Sequence, residues 1–418
     1  MYFIYSILYT AAVSVLLIPQ YLKRPPKLRM TWLREKLGIF RIPPAKDAAR
    51  PFWVHAVSVG EVTAAIPFLN ILRTSYPASP IILSTMTDTG RGVAESKAPD
   101  GVSVVYMPFD ISFIMKRFMR RIRPLLFLII ETEIWPNAIR VAHSQGIPVI
   151  LMNGRISAKS FRGYRAISGF MKTVLGHGTL FLMQTEADAE RMRLMGAERE
   201  KVLVAGSFKF DSPDRQTIPL WAARLEGPVI VAGSTHAGEE ELLISAFRRN
   251  LEQVPMLKLV LAPRHPERFA DVEAVVKASG LPFIRRTKIR EEGKEDARDI
   301  RIIILDSIGE LSSAYGIADI AVIGKSFLGH GGQNPLEPAL WGKAILCGPH
   351  MENFPFIRDF YQEGAAFEVT GEGLAGKIGE LLAEPSKARE AGEKARMLYG
   401  KNSGAVERSL AAIRQYLH

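Results

Sequence analysis

Residues 52–72, FWVHAVSVGEVTAAIPFLNIL, decide the architecture. Phe52–Val57 is an apolar run of strand length, Ser58-Val59-Gly60 forms a turn, and a helix begins near Glu61. A short apolar run, a turn of small residues and an amphipathic stretch form the repeating unit of a parallel α/β sheet. The same alternation continues outward. Strands are expected at Ile81–Ser84, Val102–Tyr106, Leu125–Ile130, Pro148–Met152, Leu180–Gln184 and Val202–Ala205. A second series then runs through Val229–Ala232, Lys258–Ala262, Ile302–Leu305, Ile320–Ile323 and Ala344–Leu346. The charged run Arg285–Arg301 reads as a surface loop, and Ser386–Tyr399 and Gly404–Tyr416 as amphipathic helices.

The expected fold class is therefore α/β, with two doubly wound Rossmann-like domains and an N-terminal helix. Its expected parts are a membrane anchor at 1–22, a front domain at 23–206 and a linker at 207–227. A back domain at 228–400 and a C-terminal helix at 401–418, able to pack back on the front domain, complete the chain. Doubly wound sheets bind ligands at the carboxyl ends of their strands, where helix N-termini and loop amides converge. Two in tandem predict a cleft between those edges.

Residues 1–18, MYFIYSILYTAAVSVLLI, carry no charged side chain. At 1.5 Å per residue they give roughly 27 Å of helix, close to the thickness of a bilayer core. Lys23, Arg24, Lys27 and Arg29 follow the run, which holds that side in the cytoplasm. A secretory signal peptide has its positive charges before the apolar run and small residues at the cleavage site, and neither is found here. A membrane anchor with residues 19–418 on the cytoplasmic side is expected, either single-pass or lying shallowly in the interface. Tyr2, Tyr5 and Tyr9 are suited to the headgroup zone.

Charge is divided unevenly. Of the net +11, residues 1–206 carry +13 and residues 207–418 carry −2. A uniformly basic chain would suggest nucleic acid, which this pattern does not support. A basic front half instead suits an anionic surface or substrate. Residues 109–123 fit that reading, since Phe113, Ile114, Phe118 and Met119 alternate with Lys116, Arg117, Arg120, Arg121 and Arg123. The single cysteine, Cys347, excludes an intrachain disulfide and any multi-cysteine metal site.

The chemistry-bearing residues fall just after strands. In the front half these are Ser58 and Glu61, Thr87, the pair Glu131 and Glu133, and Arg155. Ser58-x-x-Glu61 fits a capping box as well as a catalytic carboxylate. Two carboxylates at i and i+2 after a buried strand can orient an acceptor or a basic group, and they lack the Asp-x-Asp pattern that would recommend a metal. In the back half, Ser234 and Thr235 follow a strand and can cap a helix or contact a phosphate. Arg264, beside His265, is placed to pair with a phosphate through two parallel hydrogen bonds. Residues 324–339, GKSFLGHGGQNPLEPA, describe a glycine loop ahead of a helix, with amides directed at an anion and Glu337 in the first turn. A first-turn glutamate can contact ribose hydroxyls or simply complement the helix dipole. Without a Walker lysine loop, or GxGxxG after a first strand, neither ATP nor a dinucleotide is supported.

These motifs in order resemble the Kdo transferases of lipopolysaccharide assembly. The matching segments are WVHAVSVGE at 53–61, ETEIWPN at 131–137, NGRIS at 153–157 and GSFKFD at 206–211. AGSTHAGEE at 232–240, PRHPER at 263–268 and GHGGQNPLEPA at 329–339 complete them. The resemblance spans nearly the whole chain. It implies an inverting glycosyltransferase of the two-domain GT-B type that moves Kdo from CMP-Kdo to the lipid A precursor, with no cofactor and no metal. It also implies Glu61 as general base and Arg264, Ser326, Asn334 and Glu337 around the nucleotide, with Gly331 and Gly332 in the same loop. Lys209 is implied near the donor's phosphate or carboxylate. Expected partners are CMP-Kdo, the lipid A precursor and inner-membrane lipids, and no nucleic acid. The chain departs from the family pattern at Lys325, Gln333 and Ala237, where glycine, histidine and glutamate are usual.

Overall fold

The computed structural model describes residues 1–40, 49–211, 217–289 and 299–417. The chain forms two compact units, Met1–Pro213 together with Asn402–His418, and Asp214–Lys401.

The first unit is built on strands β1 (Phe52–His55), β2 (Ile81–Thr85), β3 (Val102–Tyr106), β4 (Leu126–Ile130), β5 (Val149–Gly154), β6 (Leu180–Met183) and β7 (Val202–Val204). All neighbours are parallel, in the order β3-β2-β1-β4-β5-β6-β7. Phe52 stands between Ile81 and Leu126, so β1 is central and buried on both faces. Phe52, Val54 and Ala56 pack on one side with the helix Val59–Ser75. Trp53 points to the other, stacked on Phe127 at 3.8 Å and edge-on to Phe118 at 4.7 Å. A fully buried side chain of this size contributes about 1.5–3 kcal/mol, so two apolar faces are what hold a parallel sheet.

The second unit repeats the plan with β8 (Val229–Thr235), β9 (Lys258–Pro263), β10 (Phe283–Arg285), β11 (Ile302–Ile304), β12 (Ile320–Ile323), β13 (Ala344–Cys347) and β14 (Ala366–Glu368). Its order is β10-β11-β9-β8-β12-β13-β14, again parallel throughout. The two edge strands β10 and β14 carry no run of apolar residues long enough to be read from sequence. Most of the charged run 285–301, at 290–298, lies outside the described residues.

The C-terminal helix Ala405–Arg414 belongs to the first unit. Asp211 accepts the amides of Gly404 and Val406, and Arg408 donates to the Ala205 carbonyl. Ala405, Val406, Leu410 and Ile413 enter the core beside Phe68 and Phe208.

The N-terminal helix Tyr2–Leu22 is long and apolar enough to cross a membrane. One stripe of it faces the first unit. Tyr5 donates to Asp110 at 2.8 Å, Tyr9 accepts from the Asp110 amide, and Ser6 bonds with Asn137. Farther along, Tyr9, Val13, Leu17 and Tyr21 pack against the cluster of Trp32, Tyr106, Phe109 and Ile114. The tyrosines thus serve the protein interior rather than only a headgroup zone.

Candidate functional site

In the first unit the sheet's carboxyl edge gathers three carboxylates and two cations. Ser58 caps the helix Val59–Ser75, and Glu61 closes the box. The Val57 amide donates to Glu61 Oε2 at 2.6 Å, and Ser58 Oγ donates to Oε1 at 2.9 Å. The capping role is therefore real, and it fixes the carboxylate at the edge. Burial raises the Glu61 pKa, the two donors oppose that rise, and the charge of Glu131 adds to it.

Glu131 follows β4 with φ +61°, a left-handed conformation that is costly for a side chain of this kind. Its carboxyl is pushed up by burial and drawn back by Lys209 and Arg155. Glu133, two residues on, rises to about 7 through burial and the charges of Glu61 and Glu131. Such a value suits proton transfer near neutrality.

Two devices bring the cations there. Thr132 Oγ1 donates to the Arg155 carbonyl and accepts its amide, which ties the loops after β4 and β5 together. Asn153, also left-handed at φ +54°, accepts the Phe208 amide at 3.1 Å. That bond seats the turn Phe208–Phe210 and brings Lys209 close enough to act on Glu131. Burial lowers the Lys209 pKa, while Glu131 raises it. Thr87 is engaged locally, capping the helix Asp88–Lys97 through the Gly90 amide.

In the second unit Arg264, Asn334 and Glu337 come together after β9 and β12. Burial raises the Glu337 carboxyl, and the Asn334 side-chain amide and Arg264 lower it. Asn334 Oδ1 also accepts the Leu336 amide, setting the start of the helix Leu336–Leu340. The Arg264 side chain is exposed, as is that of His265, whose ring lies 5.5 Å from the His236 ring.

Other expected contacts are already used inside the unit. Ser234 is left-handed at φ +55°, where the register of β8 against β9 shifts. Thr235 Oγ1 donates to buried Glu240, which also holds Arg268. Ser326 is buried, donating to the Ile323 carbonyl and accepting the Gly348 amide. The amides at Gly331 and Gly332 do not stand free for an anion. Gly331 donates to Glu352 Oε2 at 2.7 Å and Gly332 to the Lys325 carbonyl at 3.2 Å. The glycines are required by the backbone, at φ +101° and +67°, where a Cβ would lie 2.3 Å from Asn353 and Met351 atoms.

Sequence reasoning passed over Glu239, a fully buried carboxylate that holds the whole loop. It accepts the amides of His236, Lys325 and Phe327. The signal was the run of three acids, Glu239 to Glu241, after Ala237-Gly238, at a helix start where first-turn acids are common.

Residues 31–212 match the family model described as 3-deoxy-D-manno-octulosonic-acid transferase (kdotransferase). A 3-deoxy-D-manno-octulosonic acid transferase of Haemophilus influenzae is 33% identical over 408 residues, covering 94% of this chain and 93% of that protein. Its namesake from Bordetella pertussis is 34% identical over 385 residues, 88% of each chain. Among solved structures, MurG of Acinetobacter baumannii superimposes with a TM-score of 0.57 at 13% identity, covering 87% of this chain and 99% of that one. A putative UDP-N-acetylglucosamine 2-epimerase from Listeria monocytogenes gives 0.59 at 13% identity, over 88% and 96%. The two structures establish the GT-B fold alone. With a third of positions identical over nearly its full length, the chain belongs to the 3-deoxy-D-manno-octulosonic acid transferase family of glycosyltransferases.

Proposed function

We propose that this protein transfers Kdo from CMP-Kdo to the lipid A precursor lipid IVA at the cytoplasmic face of the inner membrane, with inversion at the anomeric carbon. The observation that carries the reading is the Glu61, Glu131 and Glu133 group held beside Lys209 and Arg155 in a chain of this family. Glu61 removes the proton from the acceptor's primary hydroxyl. The resulting oxygen bonds to the anomeric carbon as the bond to the CMP phosphate breaks, and CMP leaves with that electron pair. Arg264 holds the phosphate, and Asn334 and Glu337 hold the nucleoside. Fixed positive charge stabilises the leaving group in the transition state.

The exposed apolar stripe of the helix Tyr2–Leu22, including Phe3, Ile4, Leu8, Val15 and Ile18, attaches the first unit to lipid. Its opposite stripe is docked along that unit from Tyr2 to Tyr21, which favours a helix lying in one leaflet over one crossing the bilayer. A basic groove of about 800 Å³, lined by Ser112, Phe113, Lys116, Arg117, Arg120 and Arg121, suits the phosphates of the acceptor or of anionic lipids.

Mass spectrometry of lipid IVA after incubation with enzyme and freshly generated CMP-Kdo tests the reading, the expected result being a Kdo adduct and release of CMP. Glu61→Gln should keep its fold and lose about 10²–10⁴ in turnover. Retention of more than about a tenth of turnover would remove Glu61 as the base. The second reading is another GT-B enzyme, a transferase or epimerase that takes a UDP-sugar, the ligand class named for the Listeria epimerase of the same fold. Competition by UDP but not CMP would select it, and binding without release of CMP would indicate a scaffold.

A further inference from the structure

Two loops of the second unit, residues 329–333 and 348–353, converge on side chains that the transfer reaction above does not use. His330 and His350 both turn Nδ1 toward one oxygen, Oε1 of Glu352, at 3.6 and 3.5 Å. The two imidazole rings stand edge to face with centroids 4.4 Å apart. Donor atoms of all three residues lie within 4.8 Å of one another. The other carboxylate oxygen, Oε2, is fixed by the Gly331 amide at 2.7 Å.

The distances separate two explanations. A charge-assisted N–H···O bond is about 2.7–2.9 Å long, well short of these contacts. Metal bonds of about 2.0–2.1 Å in a tetrahedral array place neighbouring donors roughly 3.4 Å apart. The two Nδ1-to-Oε1 separations match such an edge. Two imidazoles and a carboxylate, with a further position open to water, form a donor set suited to zinc-class dications. The Gly331 amide on Oε2 supplies the outer hydrogen bond that orients a ligating carboxylate. Side-chain exposure of 80% at His330 and 58% at Glu352 leaves the group open to ions in solution.

We propose that His330, His350 and Glu352 bind one divalent transition-metal ion of the zinc class, which clips the glycine turn at 331–332 to the loop after β13. The ligands stand twenty and two residues apart in sequence, a spacing that matches no metal motif.

Untagged full-length protein, stripped with chelator and titrated with Co²⁺, tests this through the visible absorption of cobalt held by nitrogen and oxygen donors. The expected result is one saturable equivalent of Co²⁺ that Zn²⁺ displaces. His330→Ala and Glu352→Gln should each weaken Zn²⁺ binding at least about tenfold, with the fold verified by circular dichroism. His143→Ala should leave affinity unchanged, although it removes a histidine pair whose rings lie 4.8 Å apart in the first unit. No saturable cobalt spectrum, or wild-type affinity in both ligand variants, would overturn the site and leave a pH-dependent ion pair. None of these readouts depends on transferase turnover, so the metal site and the transfer reaction stand or fall separately.

Discussion

At the scale of single residues, the carboxyl edges of the two sheets hold most of the left-handed non-glycine backbone among the described residues. Glu131, Asn153, Ser234 and Lys325 are four of the non-glycine residues with positive φ among those described, and each lies at the end of a strand. At Lys325, φ of +57° is the physical reason glycine suits the position. Lys325→Gly should therefore raise stability by about 1 kcal/mol, read from the denaturation midpoint, because its amide bond to Glu239 does not need the side chain. Glu133 carries a different penalty. Its folded pKa of about 7 stands above the ordinary 4.5, so folding favours its protonated form. That contribution is complete below about pH 4.5 and is lost as pH rises through about 7. Glu133→Gln should raise the melting temperature at pH 8, with the advantage fading below about pH 5. An equal gain at both extremes would mean the carboxylate is not held near neutrality.

At the scale of elements, the N-terminal helix turns one stripe to the first unit and leaves the other exposed. The docked stripe is partly polar because it meets buried Asp110 and Asn137, whereas Phe3, Ile4, Leu8, Val15 and Ile18 stand exposed on the outward side. Leu8 and Val15 are 65% and 74% exposed, so neither holds the helix to the unit. Leu8→Lys combined with Val15→Lys should cut flotation with anionic vesicles while leaving the melting temperature of the protein unchanged. A large loss of stability instead would show that the outward stripe is packed against protein. The helix length and the charges behind it were legible in the sequence. Its docking was not, since Asp110 and Asn137 are more than a hundred residues away from Tyr5 and Ser6.

For the whole molecule, the chain closes on itself within the first unit. Ile413 is fully buried against a core that begins at Phe52. Ile413→Ala should cost about 2–5 kcal/mol. In scanning calorimetry the loss should appear in the transition of the first unit and spare that of the second, because two units with separate cores need not unfold as one. A shift of both transitions together would show that they are thermally coupled.

The sequence by itself determined the two parallel sheets, the apolar N-terminal helix and the family, because periodicity and motif order are local properties of the chain. Even Glu61's cap was legible, as Ser58-x-x-Glu61 lies within one helical turn. Tertiary structure alone decided which groups share a charge environment. Glu133 reaches about 7 through its burial and because the fold sets Glu61, carried on the helix after β1, beside the Glu131–Glu133 loop. Glu239 became the keystone of its loop only when β12 delivered the Lys325 and Phe327 amides. Gly331's amide found Glu352 twenty-one residues away. Burial and long-range hydrogen bonding depend on which distant segments meet, and no spacing along the chain encodes that.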